Sequence, residues 1–232
     1  MKVKAAPGSQ EIQDALRHPH VHTIVNILLQ IIDEKLFRYV ALFLNTYTQR
    51  THPRFTEDLQ ALRTYAKIYP NEEGLFTPPK YVDELLQTLD ALYQQNDKII
   101  GYRRGAIVEL FATKLVCPRY KQDECLDNQR FYDEQSPYFS AQIDVAAHSR
   151  SSQKIEGYTC KVKADTIASA DCTNLTSLAD IAEKREYRVH IGAVCFDRSE
   201  RIQQRIAKFP LTRLIKAYGI DNISKLRKSP FS

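Results

Sequence analysis

Near residue 141 the apolar residues of this chain stop recurring every third or fourth position and begin to alternate. In Ala141–Ala147, Ile143 and Val145 point one way, and Gln142, Asp144 and Ala146 the other. A period of two is that of a half-buried strand. His148–Lys154 is polar and reads as a turn, and Ile155–Val162 reads as a second strand. On it Thr159, Lys161 and Lys163 share one face, while Tyr158, Cys160 and Val162 share the other. This strand pair rules out an all-helical fold, because its apolar face has to be buried by something else in the chain.

The flanking segments supply that cover. Ile107, Leu110, Phe111, Lys114 and Leu115 predict a helix over Arg104–Val116, which Pro118 stops. Arg119–Pro137 is polar and reads as a loop. Leu175–Tyr187 has a helical pattern, Arg188–Phe196 is a strand with an apolar end, and Arg201–Tyr218 reads as helix. Before residue 100 the chain reads as helices. These are Val21 to about Tyr47, then Thr56–Tyr69 ended by Pro70, then a third carrying Leu85, Leu86, Leu89 and Leu92. The expected organisation is a helical region over 1–99, an α/β core over 100–200 and a C-terminal helical extension over 201–232.

The bulk properties narrow the function. A formal net charge of +5 permits a polyanionic partner without demanding one. The Lys184–Lys228 segment is the basic part, and Gln122–Glu134 the acidic one. The five cysteines form no CxxC pair, which argues against a zinc ribbon. Gly105 and Gly192 are isolated, so there is no glycine-rich phosphate loop. Val21–Ile32 is interrupted by Asn26 and Gln30 and is too short to span a bilayer. With nothing resembling a signal peptide, these features point to a reduced, cytoplasmic protein with no membrane partner.

Hydrolysis of a phosphodiester needs carboxylates that converge on a divalent cation, and a basic group beside the attacking water. Asp144 and Lys161 share a cleft if the two strands pair as a hairpin, and Glu109 lies beside the apolar stripe of the preceding helix. The segments Arg104–Leu110, Ile143–Ala147 and Glu156–Val162 resemble the PD-(D/E)xK nuclease superfamily. Its members run from a Glu-bearing helix to an "(E/Q)IDV" strand, a turn and an "ECK" or "EVK" strand, then a helix and another apolar strand. Gly192–Phe196 fits that last strand. The resemblance implies a restriction-endonuclease-like mixed-sheet core flanked by helices. It also implies a metal site at Glu109 and Asp144, a catalytic trio of Glu109, Asp144 and Lys161, magnesium or manganese as cofactor, and DNA or RNA as substrate.

One position departs from the pattern. Thr159 stands where the superfamily has an acidic residue, and Glu156, the nearest carboxylate, lies on the opposite strand face by parity. Two readings follow: a metal-dependent nuclease, or a nuclease-fold protein that binds nucleic acid or a partner without cutting. Tyr102-Arg103-Arg104 and Lys163 are the candidates for nucleic-acid contact. The N-terminal helices are the candidate surface for a partner protein or a second copy. The bland alternative is a small α/β domain in which Asp144 caps a strand face and the Lys161 ammonium reaches for solvent.

Overall fold

A computed structural model describes residues 2–5, 9–32, 34–68, 78–121, 123–133, 136–211 and 213–231, with backbone only at 2–5, 79 and 126–141. The chain divides into two compact units. One comprises residues 9–111, and the other residues 1–8 together with 112–232.

The first unit is helical: α1 (Gln10–Arg17), α2 (Pro19–Gln30), α3 (Lys35–Thr46), α4 (Phe55–Ile68), α5 (Pro79–Leu92) and most of α6 (Asp97–Val116). The expected single helix from Val21 to Tyr47 is two helices, since α2 ends at Gln30 and α3 starts at Lys35. The polar Asp33-Glu34-Lys35 run separates the two apolar stripes. Val21, Ile24, Val25 and Leu28 of α2 are fully buried, as are Leu36, Phe37 and Val40 of α3. Phe43, Phe55 and Tyr93 pack ring to ring, and the Tyr93 hydroxyl donates to the Tyr47 carbonyl at 2.8 Å.

The second unit is built on a mixed sheet of order β1-β2-β3-β4-β5-β6. Its strands are β1 (Lys2–Ala5), β2 (Cys125–Asp133), β3 (Ser136–Ser149), β4 (Lys154–Lys161), β5 (Arg188–Cys195) and β6 (Lys216–Tyr218). The first four pair antiparallel in sequence, whereas β5 runs parallel to β4 and β6 parallel to β5. Helix α7 (Ser169–Glu183) joins β4 to β5, and α8 (Ser199–Ile206) joins β5 to β6. One core holds Leu175, Leu178 and Ala182 of α7 and Ile202 and Ile206 of α8 against Ile155, Ile191 and Ala193 of the sheet. Each such large apolar side chain contributes about 1.5–3 kcal/mol on full burial. Gly157 makes the approach of α7 possible, because a Cβ there would lie 2.5 Å from Leu178 Cδ2.

The α/β class and the three expected strands at 141–147, 155–162 and 188–196 are present. Three expectations are corrected. The loop expected over Arg119–Pro137 contains β2, whose pairing with β1 and β3 overrides a weak local strand pattern. The helix expected over Arg201–Tyr218 stops at Ile206, ahead of Pro210, and its last three residues form β6 against Gly192–Val194. Residues 201–232 are therefore part of the sheet unit and not a separate helical extension. The thiols also differ from expectation. Cys117 and Cys125 form a disulfide, while Cys160, Cys172 and Cys195 are buried and not disulfide-bonded. Among the described residues no helix is long and apolar enough to cross a membrane.

Candidate functional site at the carboxyl ends of β4 and β5

The last registered pair of the β3–β4 ladder is Val145↔Tyr158, so Asp144 stands next in line, opposite Thr159. The Thr159 hydroxyl donates to Asp144 Oδ2 at 3.1 Å, and the Cys160 backbone N–H donates to the same oxygen at 2.7 Å. A side-chain carboxylate thus takes a strand donor where the two strands part. Lys161 follows two residues on, on the Thr159 face, as the alternation requires. Its ammonium lies 3.0 Å from Asp171 Oδ1. Asp171 is the third residue of α7, and its other oxygen accepts the Ala168 N–H at 2.8 Å, closing the helix's first turn.

These groups perturb one another. Burial pushes the Asp144 carboxyl above the ordinary aspartate value, partly offset by Lys161 and the two hydrogen bonds. Burial pulls the Lys161 ammonium down, but the charges of Asp144 and Asp171 outweigh it and hold Lys161 above the ordinary lysine value. Lys161 is therefore a cation at neutral pH, paired with Asp171. Beside it on the parallel strand, Cys195 is paired in register with Lys161. The buried Asp197 follows, 3.4 Å from Arg201. In open α/β sheets, ligands bind in the crevice outside the carboxyl ends of parallel strands, and this cluster lies at that edge.

Of the expected site residues, Asp144 and Lys161 lie on the same face of the sheet. Glu109 is buried on α6, on the helical side of the division between the units, and the cluster described is built without it. Arg104, expected to meet nucleic acid, is buried. Its guanidinium donates to the Leu44 carbonyl at 2.7 Å and the Asn45 carbonyl at 3.1 Å, satisfying the open end of α3. That occupation corrects its assignment as a nucleic-acid contact. Arg103 is half-buried in the helical unit, and Lys163 half-buried in the turn after β4. Asp171 was not singled out from sequence. Its only signal is an acidic residue in the first turn of the helix that follows the lysine strand.

Glu156 lies on the other face of the sheet, as its parity requires. It is completely buried, with Arg119 Nη2 2.5 Å away and the Tyr120 and Tyr158 hydroxyls donating to it. Next to this group the His190 Nε2 and the Tyr218 hydroxyl are 2.8 Å apart. Burial, then the charges of Arg119 and Lys216, lower the His190 pKa from 6.5 to about 4. The folded state holds this imidazole neutral, so its contribution to stability is complete above pH 6.5 and is lost as pH falls towards 4. At about 1.4 kcal/mol per pH unit the loss reaches about 3 kcal/mol. Urea unfolding midpoints between pH 4.5 and 7 are expected to fall less steeply for His190→Gln than for the parent. Superimposable profiles would contradict the assignment.

No protein-family model matches the chain, and no curated protein sequence matches it.

Proposed function

We propose that the protein is a metal-dependent nuclease that hydrolyses phosphodiester bonds in DNA or RNA, with its reacting centre at Asp144, Lys161 and Asp171. The observation that carries this reading is the strand register that puts Asp144 and Lys161 on one face of the sheet, with Lys161 Nζ 3.0 Å from Asp171 on the helix that packs there. The order of elements supports a restriction-endonuclease-like core. Helix α6 comes first, then a strand with Asp144, a turn, a strand with Lys161, helix α7 and the apolar strand β5. In this reading Asp171 brings from α7 the negative charge that Thr159 does not bring from β4.

The residues suit a sparsely held hard cation. Magnesium is commonly bound by one or two carboxylates, with waters and the substrate's own phosphate completing its shell. Both hydrogen bonds to Asp144 fall on Oδ2, and its Oδ1 accepts none from a described residue. Among the described residues, no three His, Cys, Asp or Glu side chains are grouped to hold an ion. A fuller protein cage is therefore not what this reading invokes. Bound there, magnesium or manganese would polarise the scissile phosphate and acidify a water. The Lys161 ammonium orients that water and offsets charge developing on the phosphoryl oxygens. Asp171 keeps the ammonium in place.

A second reading is favoured by the saturation of Asp144 Oδ2 by Thr159 and Cys160 and by the Lys161–Asp171 ion pair. In that reading the cluster is a structural lock, and the chain binds nucleic acid or a partner protein without cutting. Cleavage of plasmid and of RNA with magnesium or manganese, against a chelator control, separates the two. Asp171→Asn is expected to slow cleavage about 100-fold, and Lys161→Ala comparably while metal binding persists. A parent that cleaves nothing, yet binds a labelled duplex or single strand with steep salt dependence, would leave the second reading in possession.

A further inference from the structure

In the helical unit α1 and α6 line an open cavity of about 280 Å³ whose Glu11 and Asp14 edge is exposed. From α1 it is lined by Glu11, Asp14 and Ala15, with His18 at the end of the helix, and from α6 by Ile99, Tyr102 and Arg103. Residues spaced by three and four share one helical face, so each helix presents a single continuous wall. The charges along that wall are graded. At one end Glu11 is 3.3 Å from Lys98. Hydrogen bonds from its backbone and from Ser9, together with Lys98, hold its carboxyl at about 2, so it is an anion at any working pH. Asp14 comes next. At the far end are His18 and Arg103.

Arg103 is the unusual member. It is half-buried, and among the described residues no carboxylate forms an ion pair with it. Burial alone acts on its guanidinium, and acts against the charge. His18 Nδ1 accepts the His20 N–H at 3.2 Å, which leaves Nε2 to carry the proton of the neutral ring as a donor. Burial, and then Arg103 and His20, lower the His18 pKa. A partly desolvated fork of donors with no counter-ion is matched by a phosphate, which guanidinium groups bind in bidentate fashion. The middle of the wall is apolar and aromatic, from Ala15, Ile99 and Tyr102. Beyond it the Asp14 and Glu11 carboxylates lie about 6 and about 10 Å from His18 along the helix axis, at roughly 1.5 Å per residue.

We propose that this cavity binds a nucleoside monophosphate whose base carries an exocyclic amine, with the phosphate at Arg103 and His18, the ring against Tyr102 and Ile99, and the amine donating to Asp14. The oxyanion, the flat apolar body and the donor follow one another in the order that the wall offers their complements. At about 280 Å³ the cavity sits at the small end of ligand pockets, which run from roughly 300 Å³ upward. That size suits one nucleotide and not two. The inference is independent of the nuclease reading, because every lining residue belongs to the helical unit.

Calorimetric titration of the full chain tests it, with adenosine 5′-monophosphate, inosine 5′-monophosphate, adenosine and inorganic phosphate as probes. Adenosine monophosphate is expected to bind at least about tenfold tighter than the other three, since each of those lacks a group for which the wall holds a partner. Arg103→Gln is expected to weaken it by at least about tenfold, and Arg103→Lys by less. Asp14→Asn is expected to weaken adenosine monophosphate and leave inosine monophosphate unchanged. A 5′-phosphorylated oligonucleotide beginning with adenosine decides the source: tighter binding than the free nucleotide identifies a nucleic-acid end, and weaker binding a free nucleotide. Adenosine monophosphate binding no tighter than phosphate, or binding untouched in a folded Arg103→Gln protein, would overturn the proposal.

Discussion

Asp144→Ala is expected to bring magnesium-dependent cleavage of plasmid or RNA down to the chelator background, a loss of at least about 1000-fold. Asp144 is the central carboxylate of the proposed centre, and among the described residues no donor reaches its Oδ1. The same substitution removes the acceptor for the Cys160 N–H and the Thr159 hydroxyl. Leaving a buried donor unsatisfied costs about 1–3 kcal/mol, so part of a loss in Asp144→Ala could come from the fold. Asp144→Asn separates the two effects. Its amide oxygen still accepts from Cys160 and Thr159, but it brings no charge to a cation. Equal loss in both variants, with Asp144→Asn melting near the parent, assigns the effect to the missing charge. Activity that survives both variants would place the cleavage elsewhere or in a contaminant. Thr159→Glu is the complementary gain. A carboxylate directly opposite Asp144 is expected to tighten metal binding and raise cleavage, because it adds an oxygen ligand to a sparse set.

Glu156→Ala is expected to cost about 3–5 kcal/mol of folding stability, the usual penalty for breaking a buried ion pair from one side. Three donors converge on that carboxylate: Arg119, Tyr120 and Tyr158. Arg119 also donates to the Leu226 and Lys228 carbonyls, so one guanidinium ties the C-terminal segment to the underside of β4. Removing Glu156 leaves a mostly buried cation and two hydroxyls without their acceptor. Urea denaturation should show a lower midpoint with an unchanged slope. The double variant Glu156→Ala/Arg119→Ala should lose less than the sum of the single losses, since the second change removes the orphaned charge. A single-variant loss below about 1 kcal/mol would mean that water reaches the site and the pair behaves like a surface one.

The two faces of β4 explain why these substitutions affect different properties. Thr159 and Lys161 face α7 and the candidate centre, whereas Glu156 and Tyr158 face the buried latch on the far side. A strand sends successive side chains to opposite faces, so eight residues serve a proposed chemistry and a structural lock without interference. Gly192 belongs to the lock. A Cβ at that position would lie 2.9 Å from the Tyr218 ring and 3.0 Å from the Tyr158 ring, which is why the apolar end of β5 carries a glycine where those tyrosines pack.

What the sequence determined by itself is what alternation and helical spacing determine locally. The change of period at residue 141 located β3 and β4, the parity along Ile155–Val162 put Lys161 with Thr159 and Glu156 on the other side, and the apolar run at 188–196 was β5. Each rests on a repeat contained within a few neighbouring residues. Partners distant in sequence were decided by the tertiary structure alone. β2 exists because β1 and β3 offer it hydrogen bonds, not because Cys125–Asp133 carries a strand pattern. Arg104 looks like a nucleic-acid contact beside Tyr102 and Arg103, until α3 brings its last carbonyls to it from sixty residues away. Asp171 is one first-turn acid among many until the β4–α7 connection sets it beside Lys161. A carboxylate's role depends on which charge it meets, and that meeting is fixed by packing over distances that no local repeat encodes.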